Sequence, residues 1–142
     1  MFLGRFSHNL DAKGRLAIPA KFRGKLADGL VVTRGLDRCL SVYPMAAWEK
    51  LAGQISDLST VDPDIRQFKR MVFAEAMDEE LDSQGRIVVP PELRRYAGID
   101  REAVVVGMNT YIEIWDPARW DVLSAAAEDE GATIAQRLAD LI

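Results

Sequence analysis

The stretch Asp11-Ala-Lys-Gly-Arg15-Leu-Ala-Ile-Pro19 returns 71 residues later, without gaps, as Asp82-Ser-Gln-Gly-Arg86-Ile-Val-Val-Pro90. Further along the chain the offset becomes 72 residues, and the match continues as far as Trp48 and Trp120. Asp, Gly, Arg, Pro and Trp recur in the same order in both halves. A sequence that repeats at a fixed spacing indicates a repeated structural unit. The chain is therefore predicted to contain two copies of one unit.

The motif predicts a β-hairpin in each copy. Its aspartate favours an Asx-type turn, and its glycine tolerates the positive φ that a tight turn needs. Residues 16–18 and 87–89 predict the return strands, which end at Pro19 and Pro90 because proline cannot donate to a β-ladder. A short helical turn is predicted after each proline, with four side chains facing inward: Phe22, Leu26, Leu93 and Ala97.

Further strands and helices follow in both halves. Strands are predicted at 30–33, 39–43, 103–106 and 111–115, and helices around 48–55, after Asp62-Pro63 and after Asp116-Pro117. The last segment, 133–142, predicts an amphipathic helix that packs on the body or on another subunit. The two matched tryptophans are expected to fill the core.

These elements predict an α+β, β-rich fold made of two tandem internal repeats. Closing one copy against the other would remove exposed sheet edges, so a small barrel decorated by helices is expected. The first repeat is placed at residues 1–61. The connecting helix, the second repeat and the C-terminal helix are placed at 62–142, and both parts form one integrated domain.

Charge is distributed unevenly along the 142 residues. The net charge is −4 and the isoelectric point about 5.0. Residues 1–38 nevertheless carry eight Lys and Arg against three Asp, while the remainder carries ten basic and nineteen acidic residues. A basic head on an acidic body can present a positive face to a polyanion. The acidic run 78–80 is expected to be a solvated face.

Several function classes are excluded by what the sequence lacks. No apolar run reaches the roughly 20 residues of a membrane span and no signal peptide begins the chain, so a soluble, cytoplasmic protein without membrane partners is expected. A lone Cys39 and a lone His8 argue against disulfides and structural zinc. Nucleotide-binding and nucleophile motifs are absent, so we predict no enzyme activity, no catalytic residue, no metal and no cofactor.

Two copies of Asp-x-x-Gly-Arg, each followed by an apolar triplet and proline, resemble the MraZ family of bacterial transcriptional regulators in the SpoVT-AbrB superfamily. The resemblance covers the whole chain. It implies a swapped-hairpin, AbrB-like barrel, ring-shaped homo-oligomers and sequence-specific binding to short tandem repeats in double-stranded promoter DNA. It also implies a target upstream of the protein's own gene, in a cell division and cell wall cluster, and hence association with the nucleoid.

The resemblance places the DNA contacts at the hairpin tips, on Lys13, Gly14, Arg15 and Arg86. An arginine at a protruding tip can present its fork to O6 and N7 of guanine. The tip aspartates are expected to orient these arginines, and further basic residues to contact phosphates. The tip-orienting residues are Asp11 and Asp82, and the phosphate contacts are Arg5, Lys21 and Arg23. Gln84 replaces Lys13 in the second copy, so the two tips are not expected to contact DNA equally.

Three other functions remain open. An AbrB-like antitoxin would bind DNA and wrap a toxin, although such chains usually have one hairpin unit and a polar tail. A ring-forming protein-interaction module would use the same Asp–Arg pairs as structural locks. A hydrolase with an aspartate dyad ranks lowest, because aspartates paired with arginines keep low pKa values.

Overall fold

The computed structural model describes residues 1–142. Its strands are β1 (Arg5–Asn9), β2 (Arg15–Ala17), β3 (Leu30–Arg34), β4 (Leu40–Pro44), β5 (Met77–Glu79), β6 (Arg86–Val88), β7 (Glu102–Gly107) and β8 (Ile112–Trp115). Its α-helices are α1 (Ala20–Arg23), α2 (Met45–Ser56), α3 (Pro63–Phe73), α4 (Pro91–Ala97) and α5 (Pro117–Arg137). The predicted α+β class is confirmed. The fold is richer in helix than expected because α5 alone spans 21 residues.

The two halves exchange strands. β1 of the first half pairs with β7 of the second, β5 of the second pairs with β3 of the first, and β2 pairs with β6. All these pairs are antiparallel, and they produce a six-stranded sheet of order β1-β7-β8-β4-β3-β5 and a separate two-stranded ribbon, β2-β6. Neither half therefore completes its sheet without the other.

The strand pairing does not close into a ring, so the predicted barrel is not confirmed. β1 and β5 remain the two edges of the six-stranded sheet. β2 and β6 have only three residues each, they are followed closely by Pro19 and Pro90, and they pair with each other. Since proline cannot extend a ladder, these strands are too short to join the sheet edges.

The main core joins the sheet to the ribbon and to the helices after each proline. Val32 and Val105 belong to it from the sheet, and Leu16 and Ile87 from the ribbon. The four side chains predicted to face inward are all part of it: Phe22, Leu26, Leu93 and Ala97. Both copies of the motif are therefore anchored in one shared core.

Helices α2, α3 and α5 pack against strands of the sheet. Trp120 of α5 contacts Trp115 at 5.9 Å between ring centroids, and Trp48 of α2 contacts Phe73 at 5.8 Å. Trp48 and Trp120 are only half-buried, so they seal helices onto the sheet and do not fill the main core as predicted.

The predicted helix starts are confirmed. The carboxylates of Asp62 and Asp116 cap α3 and α5 by accepting backbone N–H groups at 2.8 and 3.1 Å. α5 then runs unbroken to Arg137, a length of about 30 Å, so the first half of the helix predicted at 133–142 is its far end, and a separate 3-10 turn, Ala139–Leu141, follows. No helix of the chain combines the length and the apolar character that crossing a bilayer requires.

Candidate functional site

The first copy of the motif forms a tight turn around one carboxylate. Oδ1 of Asp11 accepts the backbone N–H groups of Lys13 and Arg15 at 2.9 Å, and Oδ2 accepts the Nε–H of Arg15 at 2.6 Å. Gly14 has a φ of 75°, which glycine adopts without steric cost. The hydrogen bond from the backbone N–H of Arg15 is the main cause that lowers the pKa of Asp11 to about 2. Asp11 thus stays ionised and holds the Arg15 side chain.

The second copy forms the same turn. Oδ1 of Asp82 accepts the backbone N–H groups of Gln84 and Arg86 at 2.9 Å, and Oδ2 accepts the Nε–H of Arg86 at 2.8 Å. The backbone N–H of Arg86 is the main cause that lowers the pKa of Asp82. Because Gln84 stands where the first copy has Lys13, the second tip carries one positive charge fewer.

The β2–β6 ribbon brings the two tips onto one surface. Leu16 lies opposite Ile87 in the ribbon, and both side chains are buried in the core. Because successive side chains of a strand alternate, Arg15 and Arg86 project from the other side of the ribbon. Nη1 of Arg86 lies 3.8 Å from Oδ2 of Asp11. Residues 11–15 and 82–86 therefore form one surface, called the ribbon surface below.

Two further arginines brace the tips, and each acts on the tip of the other half. Arg94 packs its guanidinium against Gly14, and Arg23 packs its guanidinium against Gly85. Each also donates its Nε–H to a backbone carbonyl just past the end of its own return strand, at 3.0 and 2.8 Å respectively. Arg23, predicted as a phosphate contact, thus has its Nε engaged within the fold.

Arg94 was missed by the sequence argument, although a signal for it existed. Arg23 and Arg94 are related by the same 71-residue offset as the tip residues, and both are arginine. Extending the aligned motif four residues beyond its proline would have identified the pair. What the sequence could not indicate is that each arginine reaches the opposite tip, because that contact depends on the strand exchange.

The remaining predicted contacts lie in solvent. Lys13 is exposed at the first tip, and Arg5 is exposed on β1. Lys21 is exposed on α1, where its Nζ lies 5.0 Å from the ring centroid of Phe6. None of these three cations forms an ion pair within the chain. All three are therefore available to anionic groups from outside.

The acidic run before the second tip is only partly solvated, which corrects the expectation for residues 78–80. Oε1 of Glu79 accepts the backbone N–H of Val88 at 2.7 Å, and its Oε2 is buried without a hydrogen-bond partner. Burial raises the pKa of Glu79. Glu79 thus ties β5 to the end of the ribbon, whereas Asp78 and Glu80 face solvent.

The chemistry of the tips suits anion recognition better than proton transfer. A proton-sharing aspartate dyad needs one carboxyl with a raised pKa. Asp11 and Asp82 instead both have lowered pKa values, and each is bonded to the arginine of its own tip. No group of three His, Cys, Asp or Glu side chains lies close enough to hold a metal ion.

Comparison with known proteins matches the chain as a duplicated unit. The sequence model of the family described as "MraZ protein, putative antitoxin-like" matches residues 1–71 and again 72–142. The transcriptional regulator MraZ of Thermomicrobium roseum is 58% identical over 142 residues, covering 100% of both chains. That of Herpetosiphon aurantiacus is 51% identical over 138 residues, covering 97% of this chain and 96% of its own. That of Roseiflexus castenholzii is 48% identical over 141 residues, covering 99% of each.

Proposed function

The chain belongs to the MraZ family, as its paired motifs predict, and we propose that it regulates transcription by binding double-stranded promoter DNA through the ribbon surface. The observation that carries this proposal is the pairing of β2 with β6, which places Arg15 and Arg86 on one exposed face. A two-stranded ribbon fits the major groove, where arginine is the commonest specific partner of guanine. Both η nitrogens of Arg15 and Nη2 of Arg86 remain for base contacts, because the aspartates bind Nε and Asp11 also approaches Nη1 of Arg86.

Preorganisation supports the same proposal. Arg15 and Arg86 are each held by a charge-assisted hydrogen bond from Nε to their tip aspartate. A side chain that is already ordered loses less conformational entropy when it binds. The aspartates thus act as positioning residues, and their lowered pKa values keep them charged near neutral pH.

The two tips contribute unequally to DNA binding in this proposal. Lys13 gives the first tip a second cation that can meet a phosphate or a guanine edge, and Gly14 lets the backbone approach closely. The second tip offers Arg86 alone, next to the exposed carboxylates of Asp78 and Glu80. Arg5 and Lys21 are assigned to phosphates, where they add affinity and salt dependence without reading sequence.

We also propose that the protein acts as a ring-shaped homo-oligomer. α5 and the short turn that follows it carry a continuous stripe of apolar and small side chains that no part of the chain buries: Leu123, Ala127, Gly131, Ile134, Leu138 and Leu141. The spacing of three and four residues places them on one helix face, which is the pattern that packs against another helix. Several ribbon surfaces in one ring would bind tandem promoter repeats with avidity.

The proposed target lies upstream of the protein's own gene, in a cell division and cell wall cluster. The proposed location is the cytoplasm, in association with the nucleoid. A single tip contacts few base pairs, so discrimination among many genomic sites requires several tips acting together. A ring-shaped oligomer bound to repeated promoter sequences meets that requirement.

A protein-binding role is the second candidate, and the exposed stripe of α5 favours it. In that case the Asp–Arg pairs would be structural locks, and the stripe would bind a protein partner such as a toxin. The two candidates differ in what the loss of Arg15 does, because a structural lock makes no contact with DNA.

Titration of fluorescent DNA separates the two candidates. The DNA upstream of the gene and a scrambled control are titrated with the wild-type protein, Arg15→Ala and Arg70→Ala across a range of salt. Arg70 is an exposed arginine of α3, outside both tips, and serves as the matched control. We expect selective, salt-sensitive binding that Arg15→Ala weakens and Arg70→Ala retains. Equal binding of the two DNAs by the wild-type protein would favour the protein-binding role.

A further inference from the structure

The face of the six-stranded sheet opposite the main core holds a cavity that the tips do not use. Its volume is about 390 Å³, and it opens between the sheet and helices α2 and α3. The sheet contributes Tyr43, Tyr111 and Glu113, and the helices contribute Leu51, Ile55 and Phe68. The cavity thus has a partly polar floor beneath apolar walls.

Glu113 at the floor carries a charge that the chain does not neutralise. Its Oε1 accepts the indole N–H of Trp115 at 3.0 Å, and its Oε2 accepts the thiol of Cys39 at 3.5 Å. None of the five ion pairs in the chain includes Glu113, although the residue is half-buried. Withdrawing a carboxylate from water without a cationic partner is unfavourable, so such a group is a natural binding point for a cation.

The surroundings of Glu113 respond to its charge. Burial and then the Glu113 carboxylate raise the pKa of the Cys39 thiol and of the Tyr111 hydroxyl. The same two causes raise the pKa of Tyr43, opposed by a hydrogen bond with Ser41. All three groups therefore stay neutral near pH 7, and the acidic residues of the cavity lining are Glu113 and Asp37.

Two tyrosine rings stand beside this carboxylate. Tyr43 and Tyr111 stack with centroids 5.0 Å apart and planes inclined by 25°. Aromatic faces attract cations, most strongly where water is excluded. Arg34 also lines the cavity, where its guanidinium stacks on Tyr96 at 4.0 Å and its Nε, buried without a hydrogen-bond partner, lies 3.8 Å from Glu75.

The cavity is flanked by two turns in unusual conformations. Asp37 and Arg38, between β3 and β4, have φ angles of 62° and 63°, and Asn109, between β7 and β8, has a φ of 64°. Non-glycine residues in this region store strain that is concentrated at functional sites. Leu36 and Met108 in the same turns are 70% and 41% exposed, which gives the cavity an apolar mouth.

We propose that this cavity binds a small organic cation, with its ammonium group on the Glu113 carboxylate beside Tyr43 and Tyr111 and its apolar part against Leu51, Ile55 and Phe68. The carboxylate supplies the charge, the rings add cation–π attraction and the helices bury the apolar part. This site lies on the opposite face of the sheet from the main core and does not depend on the DNA-binding proposal.

Calorimetric titration of the full-length protein with 2-phenylethylamine and with 2-phenylethanol tests the proposal. The two probes have nearly the same shape, but only the amine is charged near pH 7. We expect the amine to bind at one site and at least about tenfold more tightly than the alcohol. Equal affinity of the two probes would overturn the proposal, as would the absence of saturable amine binding, and neither result depends on a variant.

Substitution of the carboxylate then assigns the site. Glu113→Gln keeps an acceptor for the indole N–H of Trp115 and removes the charge, so we expect amine affinity to fall by at least about tenfold while alcohol affinity is unchanged. Glu102→Gln removes an exposed carboxylate of β7 outside the cavity and is the matched control. Amine binding that survives Glu113→Gln, or that Glu102→Gln weakens equally, would contradict the assignment.

Discussion

Arg94 of the second half lies against Gly14 at the tip of the first half. A Cβ on Gly14 would come within 3.1 Å of the guanidinium carbon of Arg94, and Arg23 packs against Gly85 in the mirrored contact. Each tip therefore packs against an arginine from the other copy. The turn itself is formed by hydrogen bonds within each motif, but this packing requires both copies.

Gly14→Ala is expected to destabilise the protein by about 1–3 kcal/mol. The substitution places a side chain at a φ of 75° and pushes it against Arg94. Gly53→Ala in α2 is the control, because nothing lies within 4 Å of its added Cβ and alanine favours a helix by up to about 1 kcal/mol over glycine. Urea unfolding of both variants measures the difference. Equal stability of Gly14→Ala and the wild-type protein would show that the tip has room to adjust.

Acid is expected to weaken the first tip. The folded-state pKa of Asp11 is lowered from 3.8 to about 2, so its ionised form favours the folded state above pH 3.8, and this contribution disappears as the pH falls through about 2. Asp11→Asn should therefore lower the free energy of unfolding at pH 6, and the deficit should shrink as the pH is lowered towards 2. Unfolding curves at several pH values check this, with Asp57→Asn at an exposed position as the control.

The α5 stripe is expected to hold the proposed oligomer together. Ile134→Asp places a charge inside the stripe, whereas Thr133→Asp places the same charge beside it on an exposed position of the same helix. Sedimentation velocity should show a smaller assembly for Ile134→Asp and an unchanged one for Thr133→Asp. If both variants sediment like the wild-type protein, the subunit contact lies elsewhere.

Much of the fold was predictable because its signals are local. Asp-x-x-Gly-Arg specifies its own turn, and Asp62-Pro63 and Asp116-Pro117 specify helix starts, so all of these were placed correctly. The closed barrel was not confirmed because closure depends on how far strands pair, and the three-residue β2 and β6 pair with each other and add only one isolated bridge, between Leu10 and Leu16. Helix α5 was longer than expected because the middle of its stripe consists of the small residues Ala127 and Gly131, which indicate a helix face less clearly than large apolar side chains do.

The turns at the two tips were predicted, whereas their arrangement was not, and the DNA contacts of the tip residues stay a prediction. The tip residues follow from the repeat, whereas the shared ribbon surface requires the pairing of strands from different halves. The role of Glu79 was missed because nothing in a run of acidic residues indicates that one of them accepts a hydrogen bond from the end of β6. The cavity at Glu113 was missed for the same reason, since its lining comes from distant parts of the chain.

The central claim is that both tips contact DNA as one surface, and the affinity of Arg86→Ala for the promoter DNA tests it most directly. Arg15→Ala and Arg86→Ala are each expected to weaken specific binding by about 1–3 kcal/mol with the oligomer intact, because both arginines project from the same face of the ribbon. The contradicting result is that Arg86→Ala binds with wild-type affinity at a salt concentration where Arg15→Ala has lost specific binding. Only the first tip would then contact the bases.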